Sequence, residues 1–135
     1  MTYLLDTTSF SAMMRRNAAI RARVSALAPT DRAVICVITR GEVLYGLARL
    51  PQGKRRNDLE TEAIRVFREL PCPSVPEDAG DRYAQLKWQL EQAGLPLDEN
   101  DLWIAATALA IGAVLVSTDS DFRRVDGLQV EDWTR

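Results

Sequence analysis

The sequence predicts an α/β protein with a central, mostly parallel sheet and helices on both of its faces. Three short apolar runs, TYLL, AVICVI and AVLVS, alternate along the chain with longer segments of helical spacing. AVICVI is a continuous, β-branched run, as expected of a strand that is covered on both faces. Strands that alternate with helices in this way are typical of a parallel sheet flanked by helices.

In the first half of the chain, TYLL is the first predicted strand. The following stretch, SFSAMMRRNAAIRARVSALA, is helical in character, and we expect two helices with a break near Asn17. Pro29-Thr30-Asp31 predicts a turn before the strand AVICVI, and TRGEVLYGLARL follows as a helix. The alternation of charged and apolar residues over 57–70 predicts another helix. The run GKRR before it is interpreted as a solvated turn, with a nucleic-acid contact as the alternative.

In the second half, prolines punctuate PCPSV, where we expect a short strand at Ser74-Val75. Pro76 opens a helix over EDAGDRYAQLKWQLEQA, and Gly94 ends it. The next segment is apolar on all sides from residue 102 to 111, which predicts a buried helix that ends at Gly112. AVLVS is the third strand, and a last short strand is expected near Gln129-Val130. We expect Trp133 to fold back onto the body.

The composition excludes several classes of protein. A length of 135 residues suits one domain, and we find no repeat, linker or low-complexity stretch. No apolar run approaches the ~20 residues of a membrane span, and no signal peptide is evident, so we expect a cytoplasmic protein without a membrane partner. Cys36 and Cys72 lack the spacing of metal ligands, and Cys36 is interpreted as a buried thiol.

The chain contains no histidine, which restricts the chemistry available to it. Histidine is the usual general base, the partner of Ser and Cys nucleophiles, and the commonest zinc ligand. Any catalysis must therefore use carboxylates, hydroxyls, Lys or Arg. The net charge of −2 does not exclude a phosphate-bearing substrate, because metal that neutralised four clustered carboxylates would leave the rest of the chain with a positive charge.

Four acidic residues are predicted to meet at one edge of the sheet. Asp6 and Asp119 follow strands, Glu42 lies one turn into the helix after AVICVI, and Asp101 begins the buried helix. In a parallel sheet, functional groups gather at the carboxyl ends of the strands. Because clustered carboxylates repel one another, a divalent cation would stabilise them. Mg²⁺ or Mn²⁺ prefers such oxygen ligands and supports phosphodiester hydrolysis without histidine.

Most of these acids also have a structural interpretation. Thr39 and Glu42 form the T-x-x-E pattern of a capping box, which could account for the glutamate. Asp98 could cap the buried helix, with Asp101 as an acid of its first turn. Asp119 and Asp121 lie in a Ser/Thr/Asp turn, where such residues are common.

Asp6 has no structural explanation in the sequence, since only hydroxyl residues follow it. Those hydroxyls, Thr7, Thr8 and Ser9, and Thr118 near the fourth acid, could fix the carboxylates by hydrogen bonds. Ser9 could equally cap the next helix. We interpret Phe10 and Trp103 as core residues and place three further acids on the surface: Asp81, Asp126 and Glu131.

Three segments together resemble the PIN-domain ribonuclease toxins of the VapC type. These are LLDTTSF, GEVLYGL and the long stretch GLPLDENDLWIAATALAIGAVLVSTDSDFRRVDGLQVEDW, and the resemblance covers nearly the whole chain. It implies a PIN-like α/β/α sandwich and a single PIN domain over residues 1–135. It also implies an endoribonuclease that depends on Mg²⁺ or Mn²⁺ and that stops translation by cutting RNA.

The resemblance assigns roles to individual positions. The four catalytic acids of the family fall on Asp6, Glu42, Asp101 and Asp119, and we take the first, third and fourth as metal ligands. The family's hydroxyl falls on Thr118, while Thr7, Ser9 and Asp98 are candidates for supporting roles. Asp121 is a weaker substitute for Asp119.

The same resemblance implies protein partners, namely a cognate antitoxin and a second copy of the chain in a homodimer. For the RNA or antitoxin contact, the candidate residues are the arginines of the first helices: Arg15, Arg16, Arg21 and Arg23. Three alternatives stay open. The chain could be a PIN nuclease of RNA maturation or DNA processing, or an interaction module whose acids only cap helices. A haloacid-dehalogenase-like phosphatase would need a second acid where Thr8 stands.

Overall fold

The computed structural model describes residues 1–135, with six α-helices, one 3₁₀-helix and four strands. The strands are β1 (Thr2–Leu5), β2 (Arg32–Val34), β3 (Val114–Val116) and β4 (Val130–Glu131). The helices are α1 (Thr7–Met14), α2 (Ala18–Ser25), α3 (Val37–Ala48), α4 (Lys54–Glu69), α5 (Asp78–Gln92) and α6 (Glu99–Ala110). The 3₁₀-helix spans Ser120–Arg124.

All four strands form one sheet in the order β2-β1-β3-β4, and every pairing is parallel. The central strand β1 places Leu4 opposite Val34 of β2 and Leu115 of β3. The prediction of an α/β fold with a parallel sheet is confirmed, and the sheet contains no antiparallel strand. The carboxyl ends of all four strands therefore lie at one edge.

The side chains of the strands alternate between two hydrophobic cores, one on each face of the sheet. Leu4, Val34 and Leu115 face a core formed with α5 and α6. Their neighbours Leu5 and Val116 face a second core formed with α1, α3 and α4. Because successive strand residues point to opposite faces, an unbroken apolar strand requires helices on both sides. The fold is the α/β/α sandwich that the sequence predicts.

Three boundaries differ from the sequence prediction. AVICVI is a strand only as far as Val34, and its last two residues begin α3, because a helix-forming segment follows at once. GKRR is not a turn, since α4 begins at Lys54 and Gly53 occupies the N-cap position. Ser74-Val75 forms no strand. The predicted break at Asn17 is confirmed, and its side chain caps α2 by accepting a hydrogen bond from the amide of Ile20.

The C-terminal segment packs into the core through Trp133, as predicted. Its side chain is buried, and its ring centroid lies 5.0 Å from that of Tyr3. Its indole Nε1 donates a hydrogen bond of 2.9 Å to Glu131, which is partly buried rather than a surface acid. The guanidinium of Arg23 lies 4.8 Å from the ring centroid. The last residues of the chain thus fasten α2 to the edge of the sheet at β4.

Among the helices, none combines the length and the apolarity that crossing a membrane would need.

Replacing Trp133 with Ala should lower the free energy of unfolding by about 3 to 5 kcal/mol, because a large buried side chain leaves a cavity. Urea denaturation followed by circular dichroism would measure it. Trp88→Ala is the matched control, since the Trp88 side chain is 64% exposed and its loss should cost less than about 0.5 kcal/mol. Equal losses in the two variants would contradict the docking of the C-terminal segment.

Candidate active site

Asp6 ends β1 and is buried, and its carboxylate is held by three hydrogen bonds. Oδ1 accepts from the amide of Ser9 at 2.9 Å and from the hydroxyl of Thr8 at 2.7 Å. Oδ2 accepts from the hydroxyl of Ser117 at 2.6 Å. Burial raises the pKa of Asp6, and these hydrogen bonds oppose that rise because they favour the charged form. The bond to the Ser9 amide also makes Asp6 the N-cap of α1, a structural role that the sequence analysis missed.

Glu42 points toward the same edge and is not part of a capping box. Because α3 begins at Val37, Thr39 lies inside the helix, and the alternative interpretation of the T-x-x-E pattern is wrong. The Oε1 atom of Glu42 accepts a hydrogen bond of 2.6 Å from the hydroxyl of Thr7. Its Oε2 atom accepts one of 3.3 Å from the side-chain amide of Asn100. The side chain therefore bridges the starts of α1 and α6.

Asp101 lies in the first turn of α6, half-buried and without a hydrogen-bond partner. Its pKa is raised from 3.8 to about 6, first by burial and then by the negative charges of four other acids. Those acids are, in order of effect, Asp119, Asp98, Glu42 and Asp6. Asp98 occupies the N-cap position of α6, as predicted, but its side chain makes no capping hydrogen bond. Each of these four carboxylates therefore lies close enough to Asp101 for its charge to act on that residue.

Asp119 follows β3 and begins the 3₁₀-helix. Its Oδ1 accepts a hydrogen bond of 2.9 Å from the amide of Asp121. The carboxylate of Asp121 is instead paired with Arg124 at 3.1 Å, so it is committed to a structural ion pair. Asp119 has no basic partner. Of these two residues, Asp119 is the one whose charge acts on Asp101.

The supporting residues only partly match those expected. Thr7 and Thr8 hold carboxylates directly, whereas the Ser9 hydroxyl donates to the carbonyl of Val116 at 2.7 Å. The side chain of Thr118 is exposed, and its backbone amide donates to the hydroxyl of Thr8 at 3.0 Å.

The sequence analysis did not identify two residues that donate hydrogen bonds to the acids, Ser117 and Asn100. Ser117 directly follows β3 in the S-T-D turn, and Asn100 lies between two acids in D-E-N-D, so both had a positional signal. Nothing in the sequence shows which carboxylate each one contacts, because Ser117 is 111 residues from Asp6 and Asn100 is 58 residues from Glu42.

No lysine or arginine neutralises the acidic cluster, which we define as Asp6, Glu42, Asp98, Asp101 and Asp119. The ion pairs of the protein involve ten other acids. No three or more acidic or cysteine side chains lie close enough together to bind one metal ion directly. Mg²⁺ keeps several waters and needs only one or two carboxylates, so this oxygen-only donor set, with its uncompensated charge, fits that cation.

The candidate arginines of the first helices differ in their environments. Arg16 pairs with Glu62, and Arg23 pairs with Glu131. Arg15 and Arg21 are exposed and make no ion pair. Arg15 follows the last residue of α1, and eight helical residues of about 1.5 Å each separate it from the Asp6 end. Contact of these four arginines with RNA or antitoxin stays a prediction.

Comparisons with known proteins agree on one family. A family model of the PIN domain matches residues 3–128. Ribonuclease VapC1 of Haemophilus influenzae is 36% identical over an alignment of 142 positions, which covers 100% of each chain.

Two solved structures extend the similarity to the fold. VapBC-1 from nontypeable Haemophilus influenzae superposes with a TM-score of 0.89 and 31% identity, over 100% of both chains. A member of the VapBC family of toxin-antitoxin systems, VapBC-5 from Mycobacterium tuberculosis, superposes with a TM-score of 0.74 and 26% identity, over 97% of this chain and 96% of that one.

The raised pKa of Asp101 predicts a pH-dependent stability in the presence of EDTA. A carboxyl whose folded-state pKa exceeds its unfolded value binds its proton more tightly in the folded state, so stability falls as the pH rises from about 4 through about 6. Asp101→Asn should remove this loss and be more stable than the wild type at pH 8, by about 1 to 2 kcal/mol. Partial exposure of the side chain keeps the gain below the full effect of the pKa shift.

Urea denaturation between pH 4 and pH 8 would measure the difference between variant and wild type. Asp126→Asn is the control, because Asp126 is exposed and makes no ion pair. A difference between Asp101→Asn and the wild type that does not change with pH would contradict the repulsion at this site.

Proposed function

Because the chain belongs to the PIN-domain family, and within it to the VapC-type ribonucleases that it matches along its length, we propose that it is a metal-dependent endoribonuclease. Its substrate is RNA, whose phosphodiester bonds it hydrolyses. One observation carries the proposal: five carboxylates from four separate segments gather at the carboxyl edge of a parallel sheet with no cationic side chain to neutralise them. Such a cluster is costly to a protein unless it binds a cation.

The cofactor that we propose is Mg²⁺ or Mn²⁺, held by Asp6, Asp101 and Asp119, of which one or two would bind the ion directly and the others through its water molecules. When bound, the cation polarises the phosphodiester and lowers the pKa of a water molecule. The protein groups fix the ligands in advance. Ser117 and Thr8 leave Asp6 a single orientation, because their hydroxyls occupy one carboxylate oxygen each. Asp101 makes no competing hydrogen bond, so both of its oxygens are free to bind.

Glu42 is proposed to act at the same site from α3. The hydroxyl of Thr7 and the amide of Asn100 each donate to one of its oxygens. Both oxygens retain a further lone pair for a water molecule, because a carboxylate offers about four acceptor positions. Glu42 can therefore orient water without leaving its hydrogen bonds.

We further propose that the protein is a toxin that inhibits translation, that a cognate antitoxin neutralises it, and that it forms a homodimer. The solved relative VapBC-5 is described as part of a toxin-antitoxin system. An exposed apolar surface on α3, formed by Val37, Leu44 and Tyr45, supports a protein partner, since monomeric proteins rarely leave such surfaces uncovered.

Because the RNA that takes part in translation lies in the cytoplasm, we propose that the protein acts there. We also propose that residues 1–135 act as one PIN domain, since the residues beyond the matched segment supply β4 and the buried Trp133.

Cleavage of RNA by the purified protein tests the function. We expect cleavage with Mg²⁺ or Mn²⁺, none with EDTA, and a loss of at least about 100-fold in Asp6→Asn. Asn also serves as an N-cap, so this variant should keep its fold. Asp81→Asn is the control, because Asp81 is an exposed, unpaired acid on α5 and should cleave at the wild-type rate. Cleavage that survives in Asp6→Asn or in EDTA would refute the metal mechanism.

Binding of the cation can be measured without RNA. Mn²⁺ should raise the melting temperature in a concentration-dependent way, and about 2.7 kcal/mol of stabilisation is expected at 100 times the dissociation constant. The effect should fade below about pH 6, because protons then compete for Asp101. Differential scanning calorimetry of the wild type and of Asp101→Asn would show it. An identical response to Mn²⁺ in both proteins would exclude Asp101 as a ligand.

A further inference from the structure

A polar cleft of about 390 Å³ lies over the carboxyl ends of β3 and β4, next to the acidic cluster. Asp119 is part of its wall, so the cleft and the cluster share a side chain. The wall also carries two arginines, Arg123 and Arg135. The proposed catalytic role of the acids does not involve either arginine or the cleft.

Arg123 is exposed and forms no ion pair, although it lies on the 3₁₀-helix directly beside paired residues. Its neighbour Arg124 binds the carbonyl of Pro96 at 2.8 Å and the carboxylate of Asp121 at 3.1 Å. Arg124 therefore has a structural role, whereas the guanidinium of Arg123 has none within the protein. Its five N–H groups are free to donate to a ligand in the cleft.

Arg135 contributes a second cation from the C-terminus, where it contacts Asp132 at 3.2 Å. The carboxylate of Asp132 also accepts hydrogen bonds from the backbone amide of Thr134 at 2.8 Å and from its hydroxyl at 2.6 Å. Asp132 thus keeps partners when the exposed Arg135 side chain turns toward a ligand. The charged groups that face the cleft are two arginines and two aspartates, and a cation bound at Asp119 would leave the balance positive.

The remaining lining indicates what kind of ligand fits. Only one of the eight lining residues is hydrophobic, and none is aromatic, so the cleft offers no surface on which a base could stack. Thr118 and Ser120 present exposed side-chain hydroxyls that have no partner in the protein. Arginine and hydroxyl groups are typical donors to phosphate and sugar oxygens, which position a nucleic acid without reading its sequence.

We propose that this cleft is a subsite for the RNA backbone, in which Arg123 binds a phosphate that flanks the one held at the acidic cluster. Arg135 adds a weaker contact of the same kind. The inference rests on the proposed ribonuclease function. It identifies the residues that hold the RNA strand at an edge of the sheet whose carboxylates would otherwise repel the RNA phosphates. Arg123 is a positioning residue, and its contact is independent of base sequence.

The salt dependence of RNA binding tests the proposal. The probe is a fluorescently labelled single-stranded RNA of mixed sequence, bound to the Asp6→Asn variant at constant Mg²⁺ while KCl is varied. Adding Arg123→Ala should weaken binding by about 5-fold and reduce the slope of log Kd against log salt by about 0.7, the value for one phosphate contact on a single strand. Arg123→Lys should restore the slope, because lysine supplies the same charge.

Arg32→Ala is the matched control. Arg32 is an exposed arginine without an ion pair, and it lies at the amino end of β2, at the opposite edge of the sheet from the cleft. Its loss should leave both the affinity and the slope unchanged. A slope for Arg123→Ala equal to that for Arg32→Ala would overturn the subsite. A loss confined to one base composition would also overturn it, because a backbone contact weakens all sequences alike.

Cleavage of the same RNA by the otherwise wild-type protein separates the two proposals. Metal-dependent cleavage together with an unchanged slope in Arg123→Ala would leave the ribonuclease standing and refute the subsite. Absence of both binding and cleavage by the wild type would refute both.

Discussion

The parallel pairing of β1 with its two neighbours is the constraint on which the site depends. Because β1 is central and parallel to β2 and β3, its last residue emerges at the same edge as theirs. The amide of Asp6 extends the ladder by donating to the carbonyl of Val116 at 3.1 Å, and the hydroxyl of Ser117 returns a bond to the Asp6 carboxylate. The first acid is thus positioned by the sheet itself and not by a mobile loop, and α1 starts from the same carboxylate.

Electrostatic repulsion at this edge is a cost that the rest of the fold offsets. Asp6 and Glu42 accept hydrogen bonds from hydroxyl and amide donors, while Asp101 has no donor and a pKa raised to about 6. Elsewhere in the protein ten acids form ion pairs and the unpaired acids are exposed, whereas at this edge buried and half-buried carboxylates have no basic partner. Such a localised exception is what a binding site requires, since a site already neutralised by the protein would gain little from a cation.

The C-terminal residues both stabilise the fold and line the cleft beside the site. Trp133 fills the core beneath β1, and Glu131 ties α2 to β4, while Asp132 and Arg135 line the cleft beside Asp119. A protein with a net charge of −2 can attract RNA when single cations lie next to the acids. The positions of individual charges matter more than the net charge, because screening in physiological salt limits the range of each charge's interactions to about 8 Å.

The sequence alone determined the α/β class, most helix and strand positions, and the gathering of four acids at one edge of the sheet, because apolar runs and strand-end carboxylates follow local rules of period and polarity. It misjudged the start of α3, and with it the capping box, because β-branched residues such as Val37 suit both a strand and a helix start. Only the tertiary structure showed that Ser117 and Asn100 hold the acids, that Asp6 caps α1, and that Arg123 stands free beside Asp119. The contacts of Ser117 and Asn100 join residues far apart in the chain, so they exist only once the strands have paired. The Asp6 cap is local, but it depends on α1 starting directly after β1.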